Sequence, residues 1–246
     1  MLNIDGLAQT KQANAMLQDP PFTASRRKLA RAMRYIEELD QTIEKYFSGK
    51  WYTCTFDETN GLTLTIFGVP RDADMAAGDA IHNMRSALDL LAVEAVKRGG
   101  GDPNDVYYPF CEKAASFEAT FQTRKLHKAP APIQAIVRDS KPYPDGDATL
   151  HALHKLDIRD KHRALIAIAT NATTPAVRVV TDAVGVPVGF AEGKLKIELD
   201  PSTSPKAEFV FSNDCQLAGR PIGSTLRVLW ESVAAIVDSA TAACSA

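Results

Sequence analysis

The hydrophobic period of this chain changes from segment to segment, and that change narrows its fold more than any other feature. Leu29, Met33, Ile36, Leu39 or Asp40, Ile43 and Phe47 recur at three- and four-residue steps, the spacing of one helical face, and Gly49 follows as a C-terminal cap. The stretches WYTCTF (51–56) and LTLTIF (62–67) then alternate around Asp57-Glu58-Thr59-Asn60-Gly61, which predicts a β-hairpin. Helical spacing returns from about Asp74 to Lys97 and stops at Gly99-Gly100-Gly101. Another helix starts near Asp147 and is expected to run to about residue 169. After it the period falls to two: AVRVVT (176–181), VGVPVGF (184–190), KLKIEL (194–199) and AEFVFS (207–212) predict a small antiparallel sheet. Its turns fall at Gly193 and around Pro201–Pro205, and Pro187 confines the second strand to an edge or bulge. The last helix begins at Ser224 or Thr225 and carries Leu226, Leu229, Trp230, Val233, Val237 and Ala240 on one stripe.

Residues 102–145, with YYPF at 107–110 and PAP at 130–132, read as an irregular connection holding one short helix at 114–124. Strands do not alternate with helices, so the fold class is α+β: roughly a four-helix bundle with an inserted β-hairpin and a small C-terminal antiparallel sheet. The expectation is one domain over 1–246. It has a helical core at about 24–169, the hairpin at 51–67, a β-rich subdomain at about 175–213 and a terminal helix at about 224–243.

Composition excludes several classes. A net charge of -2 argues against a broad electrostatic footprint for duplex nucleic acid. No apolar run approaches the ~18 residues of a membrane helix, and the N-terminal stretch lacks the order of a signal peptide, so a cytoplasmic protein without a membrane partner is expected. Cys54, Cys111, Cys215 and Cys244 form no C-x-x-C and read as free thiols. Neither G-x-G-x-x-G nor G-x-x-x-x-G-K-[ST] occurs, and no cofactor is implied. The basic run SRRKLARAMR (25–34) is followed at once by Glu37, Glu38, Asp40 and Glu44, the pattern of a solvated helix face.

The stretch AIHNMRSALDLL (80–91) departs from generic packing. Ile81, Met84, Leu88, Leu91 and Ala95 face the core, while His82, Arg85 and Asp89 form a second stripe displaced by one residue. Such groups at a core boundary are costly without partners. The helix from Asp147 supplies candidates: His151, His154 and His162 share a face, and Asp160 follows Leu153 by seven and Leu156 by four. If the two helices pack, Arg85 meets Asp160, and Asp89 meets Lys161 or Arg163. Three readings stay open. One is an ion-pair network that sets how two helices register, in a non-catalytic binding or regulatory module. A second is a phosphate-facing pocket, arginine gripping phosphate and histidine moving a proton. A third is a metal held by His151, His154 and Asp157 or His162, although no H-E-x-x-H is present.

HNMRSALDLLA (82–92), a YPF segment (108–110) and LHKLDIRDKHRAL (153–165) resemble a group of bacterial and phage proteins with a helix like H-N-x-R-S-x-L-D-H-L and a later D-K-H-R. The resemblance covers approximately residues 75–165. The Arg-Ser-Ala-Leu-Asp order is also similar to the HEPN class of helical bundles. Those are often metal-independent ribonucleases of defence and toxin systems, in which an arginine is followed four to six residues later by histidine. Arg85 matches the arginine, but Leu90, Leu91 and Ala92 stand where the histidine would fall, and Arg159 and His162 are only three apart. The resemblance therefore implies a shared bundle and a homodimer but not ribonuclease activity, and a phosphate-bearing ligand, RNA or a nucleotide, is the expectation. In the phosphate reading His82 and His162 are the proton-transfer candidates, and Asn83, Arg85, Asp89, Asp160 and Arg163 contact or orient the ligand.

Overall fold

The computed structural model describes residues 19–57, 61–66, 70–163, 168–172, 177–179, 197–199, 207–212 and 215–245. Among them the chain is mostly helical: α1 (Thr23–Ser48), α2 (Arg71–Arg98), α3 (Phe117–Thr123), α4 (Ala131–Asp139), α5 (Ala148–Arg163) and α6 (Ile222–Ser245). The strands are β1 (Tyr52–Asp57), β2 (Gly61–Ile66), β3 (Ile168–Ala172), β4 (Val177–Val179), β5 (Ile197–Leu199) and β6 (Ala207–Phe211). They pair as three separate antiparallel ladders, β1 with β2, β3 with β6 and β4 with β5. The single C-terminal sheet expected from the alternation is thus not assembled among the described residues. VGVPVGF (184–190) and the turns at Gly193 and Pro201–Pro205 lie outside them.

Two further boundaries differ from the pattern. α5 ends at Arg163 and β3 begins at Ile168, where a helix to 169 was expected. Ala164-Leu165-Ile166-Ala167-Ile168-Ala169 is apolar throughout, so it carries no period that would separate helix from strand. The stretch 131–139 is helical rather than irregular. Proline is tolerated in a first helical turn, where its missing N–H has no helical partner anyway, and Ile133 and Val137, one turn apart, are buried.

The chain divides into two compact units, 1–33 with 81–157 and 228–246, and 34–80 with 158–227. In the first, α1 buries Ser25, Leu29 and Ala32 at four- and three-residue steps. Trp230 of α6 donates its indole N–H to the Leu29 carbonyl at 2.8 Å, and Arg26 meets Asp238 at 3.0 Å. Lys28 donates to Asn83 of α2 at 3.2 Å, and Arg27 meets Asp19 at 3.4 Å, so the start of the basic run is engaged in local pairs. In the second unit Phe209 of β6 is buried and its ring lies 5.2 Å from Tyr46 and 5.1 Å from Phe47, which also meets Trp51. Asp40 is ion-paired with Arg227 there.

α2 ends as the three glycines require. Gly101 N–H bonds the Val96 carbonyl, Gly100 N–H bonds that of Lys97, and Gly100 takes φ +76, a helix stop with a left-handed residue. Gly99 has a different reason to lack a side chain: a Cβ there would lie 1.7 Å from the Lys128 carbonyl oxygen, whereas one on Gly100 would meet open space. Gly99→Ala must displace backbone and is expected to cost about 3 kcal/mol or more, the upper range of overpacking. Gly100→Ala pays only for its dihedral, about 1 kcal/mol. Urea unfolding of the two variants checks the order; equal losses would contradict the close approach.

Candidate functional site

The polar stripe of α2 meets α5 and the segment 106–112. His82 faces Asp157 and Arg85 faces His154, so a step forward along α2 is a step back along α5 and the two helices are antiparallel here. This register gives Arg85 a partner at 154 instead of at 160.

Arg85 is 7% exposed, and its guanidinium lies against His154, Asp89 and Phe110. Nε donates to His154 Nδ1 at 3.3 Å. Nη1 lies against Asp89, one turn on, as an ion pair, although its N–H is not aimed at any acceptor. The Phe110 ring centre lies 4.6 Å from Cζ, and the same ring stacks on His154 at 4.6 Å and 10°. Asp89 also accepts the Tyr108 backbone N–H at 2.9 Å, which ties the aromatic segment to α2. Tyr108 donates its hydroxyl to Ser140 at 2.6 Å, and burial pushes its phenol far above the usual range.

His154 is held down at about pKa 4, first by burial and then by the Arg85, His151 and Lys155 charges, with Asp157 opposing. A neutral imidazole suits the geometry, because Nδ1 must offer its lone pair to Arg85 Nε–H. Below this pair, His151 Nε2 lies 3.7 Å from Glu112. Glu112 is ion-paired with Lys155, whose hydrogen bond holds its carboxyl below the ordinary carboxylate value.

The outer edge of the site has another character. His82 Nδ1 lies 2.9 Å from Asp157 Oδ1; the imidazole is 45% exposed and the carboxylate 5%. A ring that donates an Nδ1 proton to Asp157 has Nε2 as its other nitrogen, and Nε2 lies 3.4 Å from Ser86 Oγ. A buried carboxylate thus orients an imidazole that is itself half-exposed.

Of the residues singled out in the sequence, His82 is half-exposed and oriented. Arg85 and Asp89 are consumed by contacts within the protein, and buried Asn83 accepts from Lys28. The side chains of Asp160, His162 and Arg163 lie outside the described residues. The expected pairings are replaced: Arg85 finds His154, and Asp89 finds Arg85 and the Tyr108 backbone. Asp157, His154, Ser86 and Phe110 were not anticipated in these roles. Asp157 had a signal, since it follows Leu150 by seven and Leu153 by four and so lies on the buried face of α5. Among the described residues no group of three or more His, Cys, Asp or Glu is arranged to hold a metal ion. None of their helices is long and apolar enough to cross a membrane. No family model matches the chain, and no curated protein or solved structure matches it.

The inner network makes two predictions. His154 titrates near 6.5 when unfolded and near 4 when folded, so between these values the unfolded chain binds more protons. Its contribution is complete above pH 6.5 and is lost as pH falls through 4, up to about 3 kcal/mol. Thermal unfolding from pH 8 to 4 is expected to show this limb, and His154→Gln, which keeps an acceptor for Arg85, to flatten it; an unchanged limb would contradict the assignment. Arg85→Ala strips Asp89 of its counter-charge and Phe110 of its cover, and urea denaturation is expected to register a loss of about 3 kcal/mol or more. A loss under 1 kcal/mol, the range of surface pairs, would contradict it.

Proposed function

We propose that this chain binds or acts on a phosphate-bearing ligand, RNA or a nucleotide, through proton transfer at His82. The observation that carries this is the asymmetry of the His82–Asp157 pair, an exposed base held by a buried acid. A pair serving stability alone gains little from leaving its imidazole in water, whereas a general base needs a free nitrogen on the solvent side. RNA fits because its 2′-hydroxyl is a proton source beside a phosphate, and cleavage through that hydroxyl requires no metal. The Arg-Ser-Ala-Leu-Asp resemblance points the same way, to a cytoplasmic HEPN-like protein of a defence or toxin system, with pairing of two copies as its usual assembly.

A second role belongs to the inner residues. Arg85, 7% exposed and enclosed by Asp89, His154 and Phe110, fits a lock that sets the register of α2 on α5, and not a phosphate fork. This division replaces the pocket in which Arg85 and His82 act on the ligand together.

The test is incubation of a mixed-sequence single-stranded oligoribonucleotide with the wild-type chain and with His82→Asn in buffer containing a chelator. Asparagine can still donate to Asp157 but cannot carry a proton. Cleavage is expected to fall about 100-fold or more in the variant with its melting temperature held within about 2 °C. Wild-type protein that neither binds nor cuts RNA, or a variant as active as wild type, overturns the proposal.

A further inference from the structure

Hydroxyl side chains inside helices normally turn back to a carbonyl one turn earlier. This protein follows that rule at Thr120, Thr123, Ser232 and Thr241, whose hydroxyls donate to the carbonyls of Ser116, Ala119, Val228 and Val237 at 2.8–3.0 Å. Ser86 is placed otherwise. Its Oγ lies against His82 Nε2 at 3.4 Å, and His82 in turn is held through Nδ1 by Asp157 at 2.9 Å. The hydroxyl, the imidazole and the buried carboxylate therefore form one continuous line, the arrangement in which an adjacent base activates an oxygen nucleophile.

We infer that Ser86 is a nucleophile, activated by His82 and Asp157, that accepts a phosphoryl group covalently from a phosphate ester. This rests on the reading of His82 as the proton-transfer group and puts Ser86 Oγ, in place of the ligand's own 2′-hydroxyl, as the oxygen from which it takes the proton. As the Ser86 Oγ–P bond forms, the Oγ proton passes to His82 Nε2 and the P–O bond to the leaving alcohol breaks. The imidazolium formed is stabilised by Asp157 and returns its proton to the leaving oxygen. Water, deprotonated by the same Nε2, then attacks phosphorus and breaks the Oγ–P bond, and the imidazolium returns that proton to Oγ to restore the serine. Helix geometry supplies the first pair, since residues four apart share a face, and α5 supplies the carboxylate. His82 is half-exposed and Ser86 is only partly buried, so the pair lies at the edge of the core and not inside it.

The experiment uses the full chain and an alkyl fluorophosphonate, in which a P–F bond takes the place of the ester P–O bond. Mass spectrometry of the labelled protein is expected to find one phosphonyl adduct, on Ser86, with fluoride released. His82→Asn is expected to slow labelling about 100-fold or more and Asp157→Asn about 10-fold or more. Ser86→Ala, a small change at a half-buried position, is expected to abolish the adduct while leaving the unfolding curve in place. Absence of an adduct from the native protein, an adduct on another residue, or labelling of Ser86 that is as fast in His82→Asn overturns the inference. If labelling fails while RNA cleavage still depends on His82, the nucleophile is lost and the proton-transfer reading stands. If labelling succeeds and RNA is untouched, the nucleophile stands and the ligand reading falls.

Discussion

Burying a guanidinium is expensive unless every face of it is met, and the structure around α2 is organised by that requirement. Arg85 is surrounded by one charge of opposite sign, one neutral acceptor and one aromatic face. Each partner is itself fixed by something else. Asp89 is held by the Tyr108 backbone, His154 is stacked on Phe110, and the 106–112 segment is drawn onto the helices by both. Losing any one of them leaves a charge or a donor in a place water reaches poorly.

The outer pair depends on this inner one. α2 and α5 share a register because Arg85 engages position 154, and the same register brings position 82 to position 157. Two contacts three residues apart on each helix fix both rotation and offset, about 4.5 Å of rise between them. The buried network thus positions the half-exposed His82 against Asp157, and the Arg85 cluster and the His82–Asp157 pair share no residue.

Much of the helical framework was legible because long amphipathic segments carry a strong period: α1, α2, α5 and α6 all stand where the spacing of their apolar residues put them, within a few residues at most ends. The Gly99-Gly100-Gly101 stop was legible for a local reason, the left-handed residue a helix end needs. The start of β3 was not, since 164–169 is apolar without a period. At the site, the α2 stripe was visible, but the offset between α2 and α5 was not. A helix presents the same face at every turn, so Asp157 and Asp160 both satisfy the spacing from buried leucines. The observed offset is the one that bonds Arg85 to His154 with Phe110 stacked against both. Long-range choices of this kind are made by tertiary packing and leave no mark on local periodicity.

The most direct check of the account is the state of the His82 ring itself, observed by long-range proton–nitrogen correlation NMR on uniformly labelled protein and assigned with His82→Asn. The account predicts a single neutral tautomer with the proton on Nδ1 and a bare Nε2, an arrangement that Asp157→Asn disturbs. A ring protonated on Nε2, or one averaging between tautomers as a free surface histidine does, would contradict it.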